Sequence, residues 1–103
     1  MARKKLIAGN WKMYKTPEQT TAFFDEFLPL VANHERDEIA ICAPFVDLHA
    51  AVEAATGSNV AIGAQNMHWV NEGAFTGEIS APMLLSVGVK LKLSPQLTDT
   101  WLK

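Results

Sequence analysis

The sequence predicts an α/β domain with a parallel β-sheet and the element order βαβαβαβ, and three observations support this prediction. Short apolar runs alternate with segments whose apolar residues recur at helical spacing. The first three runs are continuously apolar, which is typical of strands buried on both faces of a sheet. No low-complexity tract, internal repeat or linker divides the chain, so a single modest domain is expected.

The first strand and the first helix have clear local signals. The apolar run KLIA predicts a buried strand over Lys5–Ala8. Thr16 is a good N-cap for the following helix, Pro17 suits its first position, and Gln19 completes a Thr-x-x-Gln capping box. Pro29 is expected to end or kink the helix. Its predicted apolar face consists of Phe23, Phe24, Phe27, Leu28 and Val31.

The second βα unit and the third strand follow the same alternation. A strand is predicted over Ile39–Ala43, where Pro44 stops it, and another over Val60–Ala64. The helix between them is expected to end at Gly57, a natural C-terminal cap. Its predicted inward residues are Leu48, Ala51, Val52 and Ala55.

A long polar loop separates the third strand from the last βα signals. The loop covers Gln65–Ile79, and a short helix is then predicted between Ser80 as N-cap and Gly88 as terminator. Val89–Leu93 alternates apolar and basic residues, as an edge or half-buried strand does.

Composition excludes several classes of function. The net charge is −2, and no basic stripe or basic amphipathic helix suggests a nucleic-acid or membrane partner. Cys42 is the single cysteine, so no internal disulfide can form and a reducing, cytoplasmic location is predicted. The apolar run Leu6–Ala8 is too short for a signal peptide, and no run approaches the roughly 20 apolar residues of a membrane span.

Among the polar residues, Asn10 and Lys12 give the clearest indication of a binding site. Parallel sheets place functional groups at the carboxyl ends of their strands, and both residues directly follow the first strand. An ammonium beside an amide is a plausible clamp for an anionic, oxygen-rich substrate. The alternative is an Asn that serves the turn and a solvated Lys.

Neither a metal nor a cofactor is predicted. The three histidines and the cysteine lack metal-ligand spacing, and His34 is interpreted as solvated. Cys42 is interpreted as a small core residue and not as a nucleophile. The adjacent carboxylates are interpreted as solvated surface charge, namely Asp25 with Glu26 and Asp37 with Glu38.

Four segments together closely resemble the triosephosphate isomerase family. They are AGNWKM, APFVDL, GAQNMHWVNEGAFTGEISAPML and VGVK, and the resemblance runs from about Arg3 to Lys90. It implies the N-terminal portion of a (β/α)8 TIM barrel of about 250 residues, incomplete in this chain. It also implies a dimer and the glycolytic interconversion of dihydroxyacetone phosphate and glyceraldehyde 3-phosphate.

The resemblance implies roles for individual residues. Asn10, Trp11 and Lys12 match the substrate-contacting turn, where Lys12 would stabilise the negative charge of the reacting enediolate. The loop Gln65–Ser80 matches a segment that enters the partner subunit. The alternative for this loop is simple solvent exposure. The expected interface residues are Gln65, Met67, Phe75, Thr76, Gly77 and Glu78.

The family pattern stops after Lys90. The family continues with a Tyr, a strand and a Gly-His-Ser-Glu-Arg-Arg motif, whereas Gln96 stands near the place of the His here. The His electrophile and the Glu base are therefore absent, and Glu78 lacks its expected Arg partner. The chain is predicted to be inactive alone. The alternative is a non-catalytic interaction module that docks through the Gln65–Ser80 loop onto an intact isomerase subunit or onto itself.

The last residues, 91–103, are interpreted as a tail unrelated to the family, after a family portion over 1–90. Ser94 and Pro95 suit a helix start, and Leu93, Leu97 and Trp101 recur at four-residue spacing. A short amphipathic helix over 95–102 that covers part of the sheet is one interpretation. A tail without a selected role is the other. An autonomous flavodoxin-like domain is a third, weaker interpretation of the whole chain.

Overall fold

The computed structural model of the chain describes residues 4–89 and 91–92. Within these residues, four strands and three helices alternate. A 3₁₀ turn at Phe45–Asp47 leads into the second helix. No helix in this part of the chain has the length and hydropathy needed to cross a membrane. The elements are β1 (Leu6–Asn10), α1 (Pro17–Val31), β2 (Glu38–Ala43), α2 (Leu48–Ala55), β3 (Val60–Ala64), α3 (Ala81–Ser86) and β4 (Leu91–Lys92).

The strands form one open parallel sheet in the order β1-β2-β3-β4, which confirms the predicted fold class. Asn10 pairs with Cys42, and Cys42 pairs with Gly63, so the strands end at nearly the same level. The loops after β1, β2 and β3 therefore meet at one edge of the sheet, which we call the carboxyl edge.

The start of α1 follows local sequence rules, but its end does not. The Thr16 hydroxyl accepts a hydrogen bond from the Gln19 backbone N–H, and the Gln19 side chain accepts one from the Thr16 N–H. Pro29 does not end the helix, which continues to Val31. A proline at this position removes a bond to the carbonyl of Asp25, which is an exposed residue, and at the end of the helix the Asn59 amide donates to the Val31 carbonyl at 2.8 Å.

All three helices pack on one face of the sheet. Phe24 at the centre of α1 is 1% exposed, whereas the other predicted apolar residues of that helix are only partly buried. Val52 of α2, predicted to face inward, is also only partly buried. The buried cluster joins Phe24, Leu48, Ala51, Ala55 and Leu84 of the helices to Ile41, Ala43, Val60, Ile62 and Ala64 of the strands, with Val89 beside them.

The structure describes Leu91–Lys92 of the predicted last strand. Val89 is not part of it, because its N–H donates to the Leu84 carbonyl and its side chain is buried under the end of α3. Leu91 and Lys92 pair with Gly63 and Ala64 of β3. The predictions for Lys90 and for residues 93–103, including Gln96 and a helix over 95–102, lie outside the described residues.

Asp37 is not the solvated surface charge that the sequence predicts. It is 8% exposed, and its carboxylate accepts hydrogen bonds from Arg36 Nε at 3.0 Å and from the His34 ring at the same distance. His34 is itself only 35% exposed and is not simply solvated. Both hydrogen bonds lower the pKa of Asp37, and the bond from Arg36 has the larger effect.

This shifted pKa predicts an acid-dependent component of stability. Because the pKa of Asp37 is lower in the folded chain than the unfolded value of about 3.9, its contribution is complete above that value. The contribution disappears as the pH falls through the folded-state pKa. Asp37→Asn is therefore expected to unfold at lower urea than wild type at pH 6, with the difference shrinking below pH 4. A Glu38→Gln variant is the control, and an equal loss in both would contradict the assignment.

Candidate functional site at the carboxyl edge

The turn after β1 holds Lys12 in a left-handed backbone conformation. Its φ is 55°, a backbone angle that residues other than glycine rarely adopt. The strain of about 1–2 kcal/mol is offset by the Asn10 side chain, whose Oδ1 accepts a hydrogen bond from the Lys12 N–H at 2.9 Å. Asn10 therefore shapes the turn that presents the exposed Lys12 side chain.

Gln65 connects this turn to the rest of the carboxyl edge. Its side-chain Nε2 lies 3.2 Å from Asn10 Oδ1, 3.0 Å from the Lys12 carbonyl and 3.1 Å from the Cys42 carbonyl. This amide group thus lies within hydrogen-bonding distance of the last residue of β1, of the turn that follows it and of a residue of β2. The family resemblance assigns Gln65 to an interface, and its position directly after the predicted third strand also places it at this edge.

Trp11 anchors the same turn to the core. Its backbone N–H donates to the Cys42 carbonyl at 3.1 Å, and its ring centroid lies 5.0 Å from that of Phe23 in an edge-to-face arrangement. Lys15, also left-handed with a φ of 82°, places its ammonium 5.3 Å from the Trp11 ring centroid. The Trp11 ring therefore packs against α1, and the backbone hydrogen bond of Trp11 fixes the turn against β2.

Asp47 is a buried carboxylate near this edge that the sequence pattern does not single out. It is completely buried at the start of α2, and neither oxygen has a hydrogen-bond partner among the described residues. Burial raises the pKa of Asp47, and the nearby Thr20 hydroxyl and the charge of Lys15 partly oppose the rise. The Thr20 hydroxyl also donates to the Thr16 carbonyl at 2.9 Å.

The predicted interface residues of the loop Gln65–Ser80 fall into two groups that differ in solvent exposure. Gln65 and Met67 are partly buried, and Met67 packs against the hydrophobic cluster. The other four are exposed, namely Phe75, Thr76, Gly77 and Glu78. The structure therefore directs only the second group outward.

A ring stack gives this loop an internal framework. The His68 ring stacks on that of Trp69 at 4.3 Å and contacts that of Phe75 at a tilted angle and 4.4 Å, measured between ring centroids. His68 Nδ1 is 3.5 Å from the carboxylate of Glu78, the residue whose expected Arg partner is missing from the sequence. Gly77 has a φ of 88°, as expected for a turn that glycine permits.

The remaining candidates do not form a site. Cys42 is buried, and burial raises its thiol pKa to about 11, in agreement with a core role and against a nucleophile. His49 is exposed on α2 and lies 3.2 Å from the Glu53 carboxylate. Among residues 4–89 and 91–92, no group of three or more His, Cys, Asp or Glu side chains could hold a metal ion.

Comparisons with known proteins point to one family. The family model described as triosephosphate isomerase matches residues 5–93. The triosephosphate isomerases of Solibacter usitatus and Carboxydothermus hydrogenoformans are 58% identical over 87 residues and 51% identical over 88 residues. These matches cover 84% and 85% of this chain, and each covers 35% of the relative.

A solved structure gives the same result. The crystal structure of triosephosphate isomerase from Bartonella henselae superposes with a TM-score of 0.80 at 32% identity, and the match covers 88% of this chain. It covers 37% of that protein. The chain therefore spans about a third of the length of the relatives it matches.

Proposed function

The chain belongs to the triosephosphate isomerase family, and on that premise we propose that its carboxyl edge forms part of an active site for a triose phosphate. The observation that supports the proposal most directly is the strained turn at Lys12. Asn10, the last residue of β1, and Gln65, directly after β3, both hydrogen-bond this turn. Such a fixed lysine suits recognition of a phosphorylated, negatively charged substrate.

Lys12 has the central role in the proposal. Its ammonium attracts the substrate phosphate and stabilises the negative charge that develops during aldose–ketose isomerisation. Asn10 keeps the turn in place, and Trp11 anchors it to β2 through its backbone N–H. Because the side chain of Lys12 is exposed, substrate can reach it without rearrangement of the core.

The 103-residue polypeptide is proposed to bind substrate without turning it over at a measurable rate. It offers neither the His electrophile nor the Glu base that the family resemblance leads us to expect. Each acid or base group typically contributes a factor of about 100 to 10,000, so Lys12 alone supplies little acceleration. A cytoplasmic location belongs to the same proposal, since glycolytic chemistry and a single cysteine suit it.

The proposal is tested by titrating the 15N-labelled chain with dihydroxyacetone phosphate and following backbone NMR shifts. Shifts are expected at Asn10, Lys12 and Gln65, and Lys12→Met is expected to weaken binding about tenfold or more by removing a charged hydrogen-bond donor. Lys5→Met, just before β1 at the opposite end of the sheet, is the matched control.

Two outcomes would contradict the proposed site. Shifts that persist in Lys12→Met would exclude Lys12 as the anion-binding group. Equal weakening in Lys12→Met and Lys5→Met would indicate nonspecific attraction of an anion. A coupled isomerase assay on the same samples tests inactivity, because turnover lost in Lys12→Met would show that the chain is catalytic.

The exposed loop supports a second candidate function, docking onto a triosephosphate isomerase subunit. Trp69 is 79% exposed and stacks on His68, and Phe75 is 47% exposed and contacts the same ring at a tilted angle. Exposed aromatic side chains of this kind are enriched at protein interfaces. Sedimentation of the chain with and without an intact isomerase tests the idea. A Thr76→Arg variant should abolish any complex, and unchanged association in that variant would exclude the loop.

A further inference from the structure

A small pocket lies between the loop after β3 and helix α3, apart from the turn at Lys12. Its volume is about 130 Å³. Val70, Phe75 and Met83 give the pocket apolar walls, and Glu72 and Glu78 line it with two carboxylates. The pocket therefore combines apolar surface with negative charge in a space that fits a small molecule or the end of a side chain.

Two buried polar side chains line the same pocket. Ser80 is 5% exposed, and the side chain of His68 is 10% exposed. Within the part of the chain that the structure describes, neither Ser80 Oγ nor His68 Nε2 has a hydrogen-bond partner. Buried polar atoms are nearly always paired, because an unpaired one is destabilising. Two such atoms in one pocket indicate that it receives a polar ligand.

The contacts of His68 determine what its free nitrogen can bind. The ring stacks on Trp69 with an angle of 29° between the ring planes, and the backbone N–H donates to the Ile79 carbonyl at 2.7 Å. Nδ1 faces the Glu78 carboxylate at 3.5 Å, which favours the tautomer that carries its proton on Nδ1. His68 Nε2 then has a lone pair and requires a hydrogen-bond donor.

We propose that this pocket binds a primary ammonium group on a short alkyl chain. An ammonium has three N–H donors and no acceptor, so it can donate to His68 Nε2, to Ser80 Oγ and to the Glu78 carboxylate. The carboxylates of Glu72 and Glu78 attract its charge, and the Phe75 ring adds a cation–π contribution. The alkyl chain fits the apolar walls.

Other classes of ligand match the lining less well. The two carboxylates repel an anion. A bare alkali cation has no hydrogen-bond donor for His68 Nε2. A transition metal needs several nitrogen, sulfur or carboxylate ligands together, and no set of three His, Cys, Asp or Glu side chains in the described ranges is arranged to hold one.

A free alkylamine and a lysine side chain of another protein both carry this group, so two probes are used. The 15N-labelled chain is titrated with ethylammonium and with Nα-acetyl-lysine methylamide, and backbone NMR shifts are expected at His68, Glu72 and Ser80. Binding in the millimolar range is expected, because each probe has few atoms. Tighter binding of the lysine derivative would identify a lysine side chain as the ligand, whereas equal or tighter binding of ethylammonium would identify a free amine.

Tetramethylammonium separates hydrogen bonding from charge. It carries the same charge as ethylammonium but has no N–H group, so it should leave the signals of His68 and Ser80 unshifted. Equal shifts with both cations would overturn the proposal, because the orphaned acceptors would then have no part in binding. The absence of shifts with either primary ammonium probe would overturn it as well.

Three variants assign the binding to the pocket. Glu78→Gln is expected to weaken ethylammonium binding about tenfold or more, and Ser80→Ala about fivefold. Glu53→Gln is the matched control, because Glu53 is 76% exposed on α2 and does not line the pocket. Equal weakening in Glu78→Gln and Glu53→Gln would indicate nonspecific attraction and overturn the proposal. Ser80→Ala leaves the charge unchanged, so unaltered binding in that variant would overturn it even if Glu78→Gln disturbs the loop.

Discussion

Replacing Phe24 by alanine is expected to lower the free energy of unfolding by about 3–5 kcal/mol. Among the residues that the structure describes, Phe24 is the largest side chain with less than 2% exposure, and it lies where α1 meets the sheet. Its ring contacts those of Trp11, Phe23 and Phe27, with centroid distances of 5.9, 5.2 and 6.5 Å. Alanine would leave a cavity that rigid neighbours, anchored in a helix and a turn, cannot fill.

The expected loss is a large part of the stability of a domain of this size, which is typically about 5–15 kcal/mol. Urea unfolding followed by circular dichroism measures it. Leu30→Ala is the control on the same helix, because Leu30 is 81% exposed and its replacement should change stability by less than about 0.5 kcal/mol. A loss below about 1 kcal/mol for Phe24→Ala would show that α1 contributes little to the core.

Gly88→Ala is the second substitution with a large expected effect. Gly88 has a φ of 90°, a conformation that costs alanine about 1–2 kcal/mol. A Cβ added there would lie 2.7 Å from Cγ1 of Val52, and relieving that overlap typically costs a further ~1–3 kcal/mol. The two terms predict a loss of about 2–5 kcal/mol, because Val52 lies on α2 and cannot move away freely.

Two further variants separate the backbone cost of alanine at position 88 from the cost of its overlap with Val52. Gly57 has a similar φ of 83° but no atom within 4 Å of an added Cβ, so Gly57→Ala should show the backbone term alone. Combining Gly88→Ala with Val52→Ala should recover the overlap term and not the backbone term. Equal losses for Gly88→Ala and Gly57→Ala in thermal unfolding would show that Val52 yields without cost.

Local signals in the sequence predict the parts of the fold that depend on near neighbours. The Thr16 capping box and the apolar runs of the strands depend on residues a few positions apart, so the sequence predicts them correctly. The expected end of α1 at Pro29 is not observed, because the helix continues to Val31, whose carbonyl bonds to Asn59, 28 residues away in the sequence. The prediction for Asp37 is wrong because the conformation of its loop decides its burial, and charge alone does not reveal that.

The candidate site is predictable from the sequence only in part, for the same reason. Asn10 and Lys12 are two residues apart in the sequence, so their proximity follows directly from the chain. The role of Gln65 depends on strand register, because only the parallel pairing of β1, β2 and β3 brings its amide beside Asn10 and the Cys42 carbonyl. No local pattern encodes that pairing.

The hydrogen bonds of Gln65 also have a consequence for the order of folding. Gln65 lies 55 residues after Asn10 and 53 after Lys12, so these contacts are among the most distant in sequence. Contacts of high sequence separation form late, since the intervening chain must first be ordered. During synthesis, the turn at Lys12 would emerge long before Gln65 and remain unsupported until β3 joins the sheet. Completion of the turn at Lys12 would then coincide with docking of β3.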